Sequence, residues 1–256
     1  VPDRIQVVYE DQNILLVDKK PGLVVHEDDD NTPDTLINRI LHYLYNKGEY
    51  QPDAEQSFVP ALCNRIDRNT GGIVIAAKNA QALRILNQKV KDRELTKLYL
   101  CLVHGVMQPK SGTLRDFLLK DSQRNQVRVF KNQVPGSKTI ITSYRTLRTD
   151  GKTSLLEVDL KTGRTHQIRV HMKYIGHPLP GDFLYNPDFR YIRRQALHSV
   201  RLSFPHPFTG EVLIFSAPLP EDMACLFPGQ ELPSFSRPGA DPDLPTASLS
   251  PWDNDF

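Results

Sequence analysis

Paired β-rich runs joined by turn residues are the feature of this sequence that most limits its fold. Three such pairs lie within residues 5–18, 140–160 and 197–216, and the second pair is joined by Asp150 and Gly151. Pairs of this kind are typical of antiparallel hairpins. Because no regular alternation of strand and helix follows, we expect an α+β fold: a mixed, largely antiparallel sheet with flanking helices and loops.

Helical patterns lie between the hairpins. Thr32–Asp34 is predicted to open a helix whose apolar residues recur at spacings of three and four through Tyr45. Asn79 is predicted to cap a second helix, and residues 165–174 have helical character. Residues 108–138 are rich in Lys, Arg, Gln and Asn, which predicts a polar excursion with only short ordered pieces.

Composition excludes several classes of protein. The chain has no run of 18 apolar residues, so we expect no membrane partner. Its three cysteines, Cys63, Cys101 and Cys225, lie far apart without metal-ligand spacing, which indicates a reducing, cytoplasmic location and no zinc site. We also expect a monomer.

Charge is unevenly distributed along the chain. The net charge of +2 combines about +6 in residues 1–227 with −4 in residues 228–256. The first part is basic enough to permit phosphate contacts. We expect it to form one catalytic domain, and the proline-rich acidic remainder to be a disordered tail.

The first segment with chemical potential is residues 64–72, which precede a β-rich run. Asp67 lies between Arg65 and Arg68, and neighbouring positive charge favours an ionised carboxylate. Two glycines, Gly71 and Gly72, end the segment and allow unusual backbone angles or a close approach by a ligand. On composition alone, the residues favour the alternative, a solvated polar turn before a strand.

The second segment is residues 161–171, where polar donors crowd a predicted helix start. Their side chains suit phosphates and base edges, and they are Arg164, His166, Gln167, Arg169 and His171. A basic amphipathic helix without a ligand is the alternative. A metal site is disfavoured, because the two histidines are five residues apart and the segment contains no carboxylate.

Together the two segments resemble the RluA-type pseudouridine synthases. Residues 64–72 are similar to the HRLDxxTSG motif of that family, and residues 163–171 to its GRxHQIRxH motif. The likeness continues in family order through residues 14–22, Lys97–Tyr99, the GHPxxGD loop at 176–182, and the closing segments at 196–220. It therefore covers roughly residues 5–224 and implies the pseudouridine synthase fold.

The resemblance implies an isomerisation of specific uridines in ribosomal or transfer RNA. The reaction breaks the glycosidic bond to N1, turns the base and rejoins it through C5, with no net redox change and therefore no cofactor. Asp67 would be the catalytic aspartate, oriented by an ion pair with Arg169. Tyr99 would stack on a flipped-out base, with Ile168 supporting its ring.

Other residues are assigned to RNA binding with less specific roles. Arg65 would fill the space left by the flipped base, or else contact a phosphate or simply be solvated. Phosphate or base contacts would come from Lys19, Lys20, Arg164, His166, Gln167 and His171.

Two departures from the family pattern are present. Asn64 stands where many members have His, and Gly71 replaces Ser. Two other functions remain open: an RNA-binding module that has lost the reaction, and a hydrolase using Asp67 and His166. Many relatives also carry an S4 RNA-binding module upstream, and none is visible here. Whether the aspartate attacks C1′ or C6, or promotes a glycal route, is also open.

Overall fold

The computed structural model describes residues 4–27, 31–54, 57–124 and 126–226. The predicted acidic tail lies outside these ranges. In chain order the elements are β1 Val7–Glu10, β2 Ile14–Lys19, α1 Leu36–Asn46, β3 Ala61–Leu62, β4 Gly71–Ala77, α2 Ala80–Lys91, β5 Thr96–His104, β6 Ser111–Asp121, β7 Gln126–Phe130, β8 Lys138–Thr149, β9 Thr153–Leu160, α3 Gln167–Tyr174, β10 Leu197–Pro205, β11 Val212–Ser216 and α4 Glu221–Ala224.

Two units divide these elements. Unit 1 comprises Val1–Leu95 and Ser199–Pro218, and unit 2 comprises Thr96–His198 and Leu219–Phe256. The expected α+β class is confirmed, since antiparallel strand pairs occur with helices in each unit.

Unit 1 is built on neighbouring strands in the order β1-β2-β4-β10, with β3 beside β4 and β11 beside β10. Its core contains Ile14, Leu16, Ile75, Leu86 and Phe204, each with at most 1% of its surface exposed. Burial of such side chains is the main stabilising contribution to the unit. As predicted, Asn79 caps α2 by accepting from the Ala82 N–H at 2.8 Å.

Unit 2 is built on strands in the order β5-β9-β8-β6-β7. The predicted Asp150–Gly151 turn is confirmed between β8 and β9: the Asp150 side chain accepts from the Thr153 N–H at 2.7 Å, and Gly151 has a positive φ of 85°. Helix α3 contributes Val170 to an apolar cluster that also contains Leu118 and Val127.

The prediction for residues 108–138 was wrong. This segment contains the β6–β7 hairpin, in which Leu118 pairs with Val129 and Lys120 with Val127. From Ser111 to Leu118 the more buried residues alternate with the more exposed ones, so Ser111, Thr113 and Arg115 share the more exposed face. An antiparallel strand with one solvated face needs apolar side chains only on the face that packs against the core.

Candidate active site

Asp67 lies on a loop of unit 1 whose ends are fixed by hydrogen bonds. Before it, the Asn64 side chain donates to the Ile73 carbonyl at 3.2 Å and accepts from the Ile75 N–H at 2.8 Å. After it, the Thr70 N–H donates to the Asp67 carbonyl at 3.0 Å. Asn64 therefore joins the loop to β4 through both ends of its amide. Asp67 itself is half-buried, and the flanking Arg65 and Arg68 are exposed.

The paired glycines have different reasons to be small. Gly72 has a φ of 127°, and a Cβ there would overlap the carbonyl of Ser199. At Gly71 a Cβ would lie 3.1 Å from the Pro21 ring and 3.2 Å from the Lys19 carbonyl. A serine at position 71, the usual family residue, would require these neighbours to shift by a few tenths of an ångström.

Lys19 was predicted to contact phosphate, and the structure corrects this. Its side chain is 1% exposed, and its ammonium donates to the carbonyls of Lys20, Leu23 and Arg68 at 3.1, 2.7 and 2.9 Å. The Gly22 N–H also donates to the Arg68 carbonyl, at 2.8 Å. A buried ammonium satisfied by three carbonyls is held away from the RNA backbone. It instead braces the Asp67 loop against the Lys-Pro-Gly turn, residues 20–22.

Replacing Lys19 with Met should lower the free energy of unfolding by about 3 kcal/mol, because three carbonyls lose a charged donor. The matched control is Lys20→Met, since Lys20 is exposed and its change should stay within about 0.5 kcal/mol. Denaturant unfolding of both variants measures the difference. Equal losses in the two variants would contradict a bracing role for Lys19.

Lys20 borders a cleft in unit 1 with a volume of about 570 Å³, together with Arg4 and Asp18. Asp18 is 8% exposed, and this burial raises its pKa against the effect of Lys20 and Lys19. Lys19 also lines this cleft, but its ammonium is enclosed by carbonyls, whereas the Lys20 side chain is exposed.

In unit 2 the second segment forms the loop before α3 and the helix itself. His166 adopts a left-handed conformation with a φ of 55° just before the helix, and its Nδ1 lies 2.8 Å from the Tyr185 hydroxyl. Arg164 is exposed, Ile168 is buried, and Tyr99 lies on β5 opposite Val158 with 6% of its surface exposed.

Gln167 and His171 were predicted to bind RNA, and both are buried structural residues. The Gln167 amide donates to the Ile141 carbonyl at 3.1 Å and accepts from the Thr162 hydroxyl at 2.9 Å. His171 is fully buried, 2.8 Å from the Thr142 hydroxyl and 3.0 Å from the Asp116 carboxylate. These bonds tie α3 to β6 and β8, so the two side chains do not reach a ligand.

Acid should weaken unit 2 through His171. Burial lowers the pKa of His171, and the positive charge of Lys131 lowers it further. The hydrogen bond to Asp116 acts in the opposite direction but does not outweigh burial. Below about pH 6.5 the unfolded chain therefore binds protons that the folded chain excludes, and stability should fall by up to about 1.4 kcal/mol per pH unit.

Unfolding free energies of the wild type and His171→Gln, measured between pH 7.5 and 5.5, test this expectation. The variant should show a shallower decline. Burial also lowers the pKa of His26, but His26 is present in both proteins, so the difference isolates His171. Parallel curves would contradict the expectation.

Arg169 has a carboxylate partner that the sequence analysis did not assign. Its Nε donates to Asp182 Oδ2 at 2.7 Å and its Nη2 to Asp182 Oδ1 at 2.9 Å. Both side chains are almost completely buried, and the guanidinium lies 5.2 Å from the Tyr185 ring centroid. Asp182 Oδ1 also accepts the Leu184 and Tyr185 N–H groups at 3.0 and 3.1 Å. The sequence feature that could have identified Asp182 is its position at the end of the GHPxxGD loop, residues 176–182.

Within each unit the structure thus brings together part of the predicted set. Arg65 and Asp67 share one loop, and Lys19 braces that loop. Arg164, His166, Ile168 and Arg169 share the α3 segment.

Among the described residues, no group of three or more His, Cys, Asp or Glu side chains is arranged to hold a metal ion. No helix in the described ranges is long and apolar enough to span a membrane.

Comparisons with known proteins identify the fold and the family. A family model described as RNA pseudouridylate synthase matches residues 13–174. Human RNA pseudouridylate synthase domain containing 1 superposes with a TM-score of 0.68 at 25% identity, covering 87% of this chain and 88% of the other. Human RNA pseudouridylate synthase domain containing 4 also gives 0.68, at 18% identity and with 86% and 90% covered, and supports the fold alone.

Two curated bacterial proteins illustrate the sequence similarity. An uncharacterized RNA pseudouridine synthase of Chlorobaculum parvum is 38% identical over 237 residues, covering 86% of this chain and 72% of the relative. The ribosomal large subunit pseudouridine synthase D of Nitrosomonas europaea is 34% identical over 246 residues, covering 91% and 68%. This chain therefore belongs to the RluA-type RNA pseudouridine synthases, isomerases that convert uridine in RNA to pseudouridine.

Proposed function

We propose that this enzyme modifies uridine in large-subunit ribosomal RNA, flips its target base out of the RNA and uses Asp67 as the catalytic carboxylate. The observation that carries the proposal is the Asp67 loop, fixed to β4 by Asn64 and to the Lys-Pro-Gly turn by Lys19. The ribosomal target is supported by relatives in Nitrosomonas europaea, Haemophilus influenzae and Neisseria meningitidis, each named ribosomal large subunit pseudouridine synthase D.

The reaction conserves every atom of the uridine except the exchanged C5 proton. The C1′–N1 bond breaks, the base turns, a C1′–C5 bond forms as the C5 proton leaves, and N1 takes up a proton. A carboxylate can assist by covalent attack or by stabilising positive charge on the sugar. A loop restrained at both ends is suited to this role because catalytic groups need a fixed geometry.

Arg169 is proposed to orient Asp67. A guanidinium has donors on more than one edge, and the edge formed by Nε and Nη2 binds Asp182. Asp182 therefore restrains the orientation of the Arg169 guanidinium within unit 2. The Arg169–Asp67 pairing itself is implied by the family resemblance.

The target base is proposed to flip out, because C1′ and C5 of a stacked uridine are inaccessible to a side chain. Tyr99 would stack on the extruded ring, with buried Ile168 supporting it. Arg65 is exposed, as a residue that fills the vacated space or contacts a phosphate must be. Lys20 and Arg164, also exposed, are proposed as backbone contacts.

Tyr99→Phe should keep RNA affinity, because the ring and its stacking surface remain. Turnover should fall by about a hundredfold if the hydroxyl transfers a proton late in the reaction. Single-turnover rates and binding constants measured on the same RNA separate the two effects. Wild-type turnover in this variant would remove the hydroxyl from the mechanism.

Mapping pseudouridine in cells without this protein tests the proposed target. Large-subunit ribosomal RNA should lose modification at a defined site, and wild-type protein should restore it while Asp67→Asn should not. Loss confined to transfer RNA would contradict the ribosomal target. An unchanged map would contradict both targets.

A further inference from the structure

Exposed aromatic side chains concentrate on one loop of unit 2. In the described ranges six Phe or Tyr side chains are exposed, and three of them lie between Phe183 and Tyr191. Phe183 is 73% exposed, Phe189 47% and Tyr191 41%. Single exposed apolar residues are ordinary on protein surfaces, but a local group of large exposed rings is typical of a ligand-binding or interaction site. We call residues 181–193 the aromatic loop.

The aromatic loop is held in shape by its own hydrogen bonds. The Gly181 N–H donates to the Asp188 carbonyl at 2.8 Å, and the Asn186 N–H donates to the Asp182 carbonyl at 2.8 Å. Gly181 has a φ of 75°, and a Cβ there would overlap the Arg194 carbonyl. The exposed rings are therefore carried by a fixed backbone, which reduces the entropy lost when a ligand binds.

Positive charge accompanies these rings. The Arg190 side chain is 77% exposed, and its guanidinium lies 5.7 Å from the Tyr191 ring centroid. The one carboxylate between the rings, Asp188, is bound by Arg190 at 2.7 Å and lies 3.2 Å from His104 Nε2. Arg193 is exposed as well. Aromatic faces beside guanidinium groups suit unpaired nucleotides, whose bases stack and whose phosphates are anionic.

We propose that Phe183, Phe189 and Tyr191 form a stacking surface for unpaired bases of the RNA substrate, with Arg190 and Arg193 contacting the adjoining phosphates. This inference rests on the proposed function for the identity of the RNA. Phe183 directly follows Asp182, the residue that binds Arg169. Bases stacked on the aromatic loop are therefore held by the same backbone segment that binds Arg169, the proposed positioning residue.

The test uses the whole protein and a short single-stranded RNA containing 2-aminopurine, whose fluorescence falls when the base stacks. The double variant Phe183→Ala/Tyr191→Ala should bind this RNA at least about tenfold more weakly. Phe183→Leu should also weaken binding, because it keeps apolar volume without a ring face, whereas Phe183→Trp should retain it. Tyr45→Ala is the matched control, since Tyr45 is a 56% exposed aromatic residue on α1, and its affinity should be unchanged.

Salt dependence separates stacking from charge. The aromatic variants should keep the wild-type slope of log affinity against log salt, while Arg193→Gln should reduce it by about 0.7, the value for one phosphate contact on a single strand. Wild-type affinity in the double variant, or in Phe183→Leu, would overturn the stacking surface. A wild-type dimer that forms with increasing concentration, and that the double variant but not Tyr45→Ala abolishes, would also overturn the stacking surface. That result would show that the rings mediate self-association.

Failure of the proposed function gives a different result. Pseudouridine formation by the wild type on large-subunit ribosomal RNA is measured in parallel. Its absence would refute the proposed target regardless of the stacking result. Normal modification by both the wild type and the double variant, with equal RNA affinity, would refute only the stacking surface.

Discussion

Asp67→Asn is expected to form pseudouridine at least about a thousandfold more slowly than the wild type. The substitution keeps the size of the side chain but removes its negative charge and its nucleophilic oxygen. RNA affinity should change by no more than about threefold, because binding depends on many phosphate contacts. Asparagine can still accept hydrogen bonds, so the loop fixed by Asn64 and Lys19 should keep its conformation.

Arg68→Gln is a suitable comparison, because Arg68 lies on the same loop and is exposed. Its turnover at saturating RNA should remain within about tenfold of the wild type. Near wild-type turnover by folded Asp67→Asn would contradict a chemical role for the carboxylate. Equal losses in both variants would instead indicate a general disturbance of the loop.

Arg169→Lys is expected to lower turnover by about a hundredfold while the protein remains folded. Lysine keeps the positive charge, but an ammonium cannot make the planar pair of hydrogen bonds that Arg169 makes with Asp182. Arg169→Ala should be more damaging, because it leaves Asp182 buried without its cation, a change that typically costs about 3–5 kcal/mol. The lysine variant is therefore the cleaner test of orientation.

Asp182→Asn should reduce turnover in the same direction, since an amide accepts through only one oxygen. The chain offers a control of the same geometry in Arg194 and Asp222, which form a two-bond pair at 2.7 and 2.8 Å with a more exposed carboxylate. Asp222→Asn should leave turnover unchanged. A pH profile and separate kcat and KM values, measured below the melting temperature of every variant, distinguish orientation from stability. Equal effects of Asp182→Asn and Asp222→Asn would contradict a positioning role for Asp182.

Much of the fold was predictable because local sequence determines it. Asn79 caps a helix through a hydrogen bond from the N–H three residues later. The hairpin between β8 and β9 is closed by the Asp150 side chain and by the positive φ of Gly151. The β6–β7 hairpin was missed because polar and charged residues are interspersed among its apolar ones. Leu118 and Val127 face the core, while many of their neighbours are polar.

The candidate site was predictable only in its residue types. Lys19 and Lys20 look equivalent in the sequence, but only tertiary structure shows that one ammonium is enclosed by three carbonyls and the other side chain is exposed. Gln167 and His171 were misassigned for the same reason, since their partners come from distant strands. The link from Arg169 to Asp182 depends on how the loop after α3 returns to the helix.

The most direct measurement of the central claim is tritium release from ribosomal RNA labelled at uracil C5. Joining C1′ to C5 expels the C5 hydrogen, so each pseudouridine formed releases one tritium. We expect the wild type to release tritium in step with pseudouridine detected by mass spectrometry, and Asp67→Asn to release none above background while still binding the RNA. Tritium release by Asp67→Asn at the wild-type rate would contradict the assignment of Asp67 as the catalytic carboxylate.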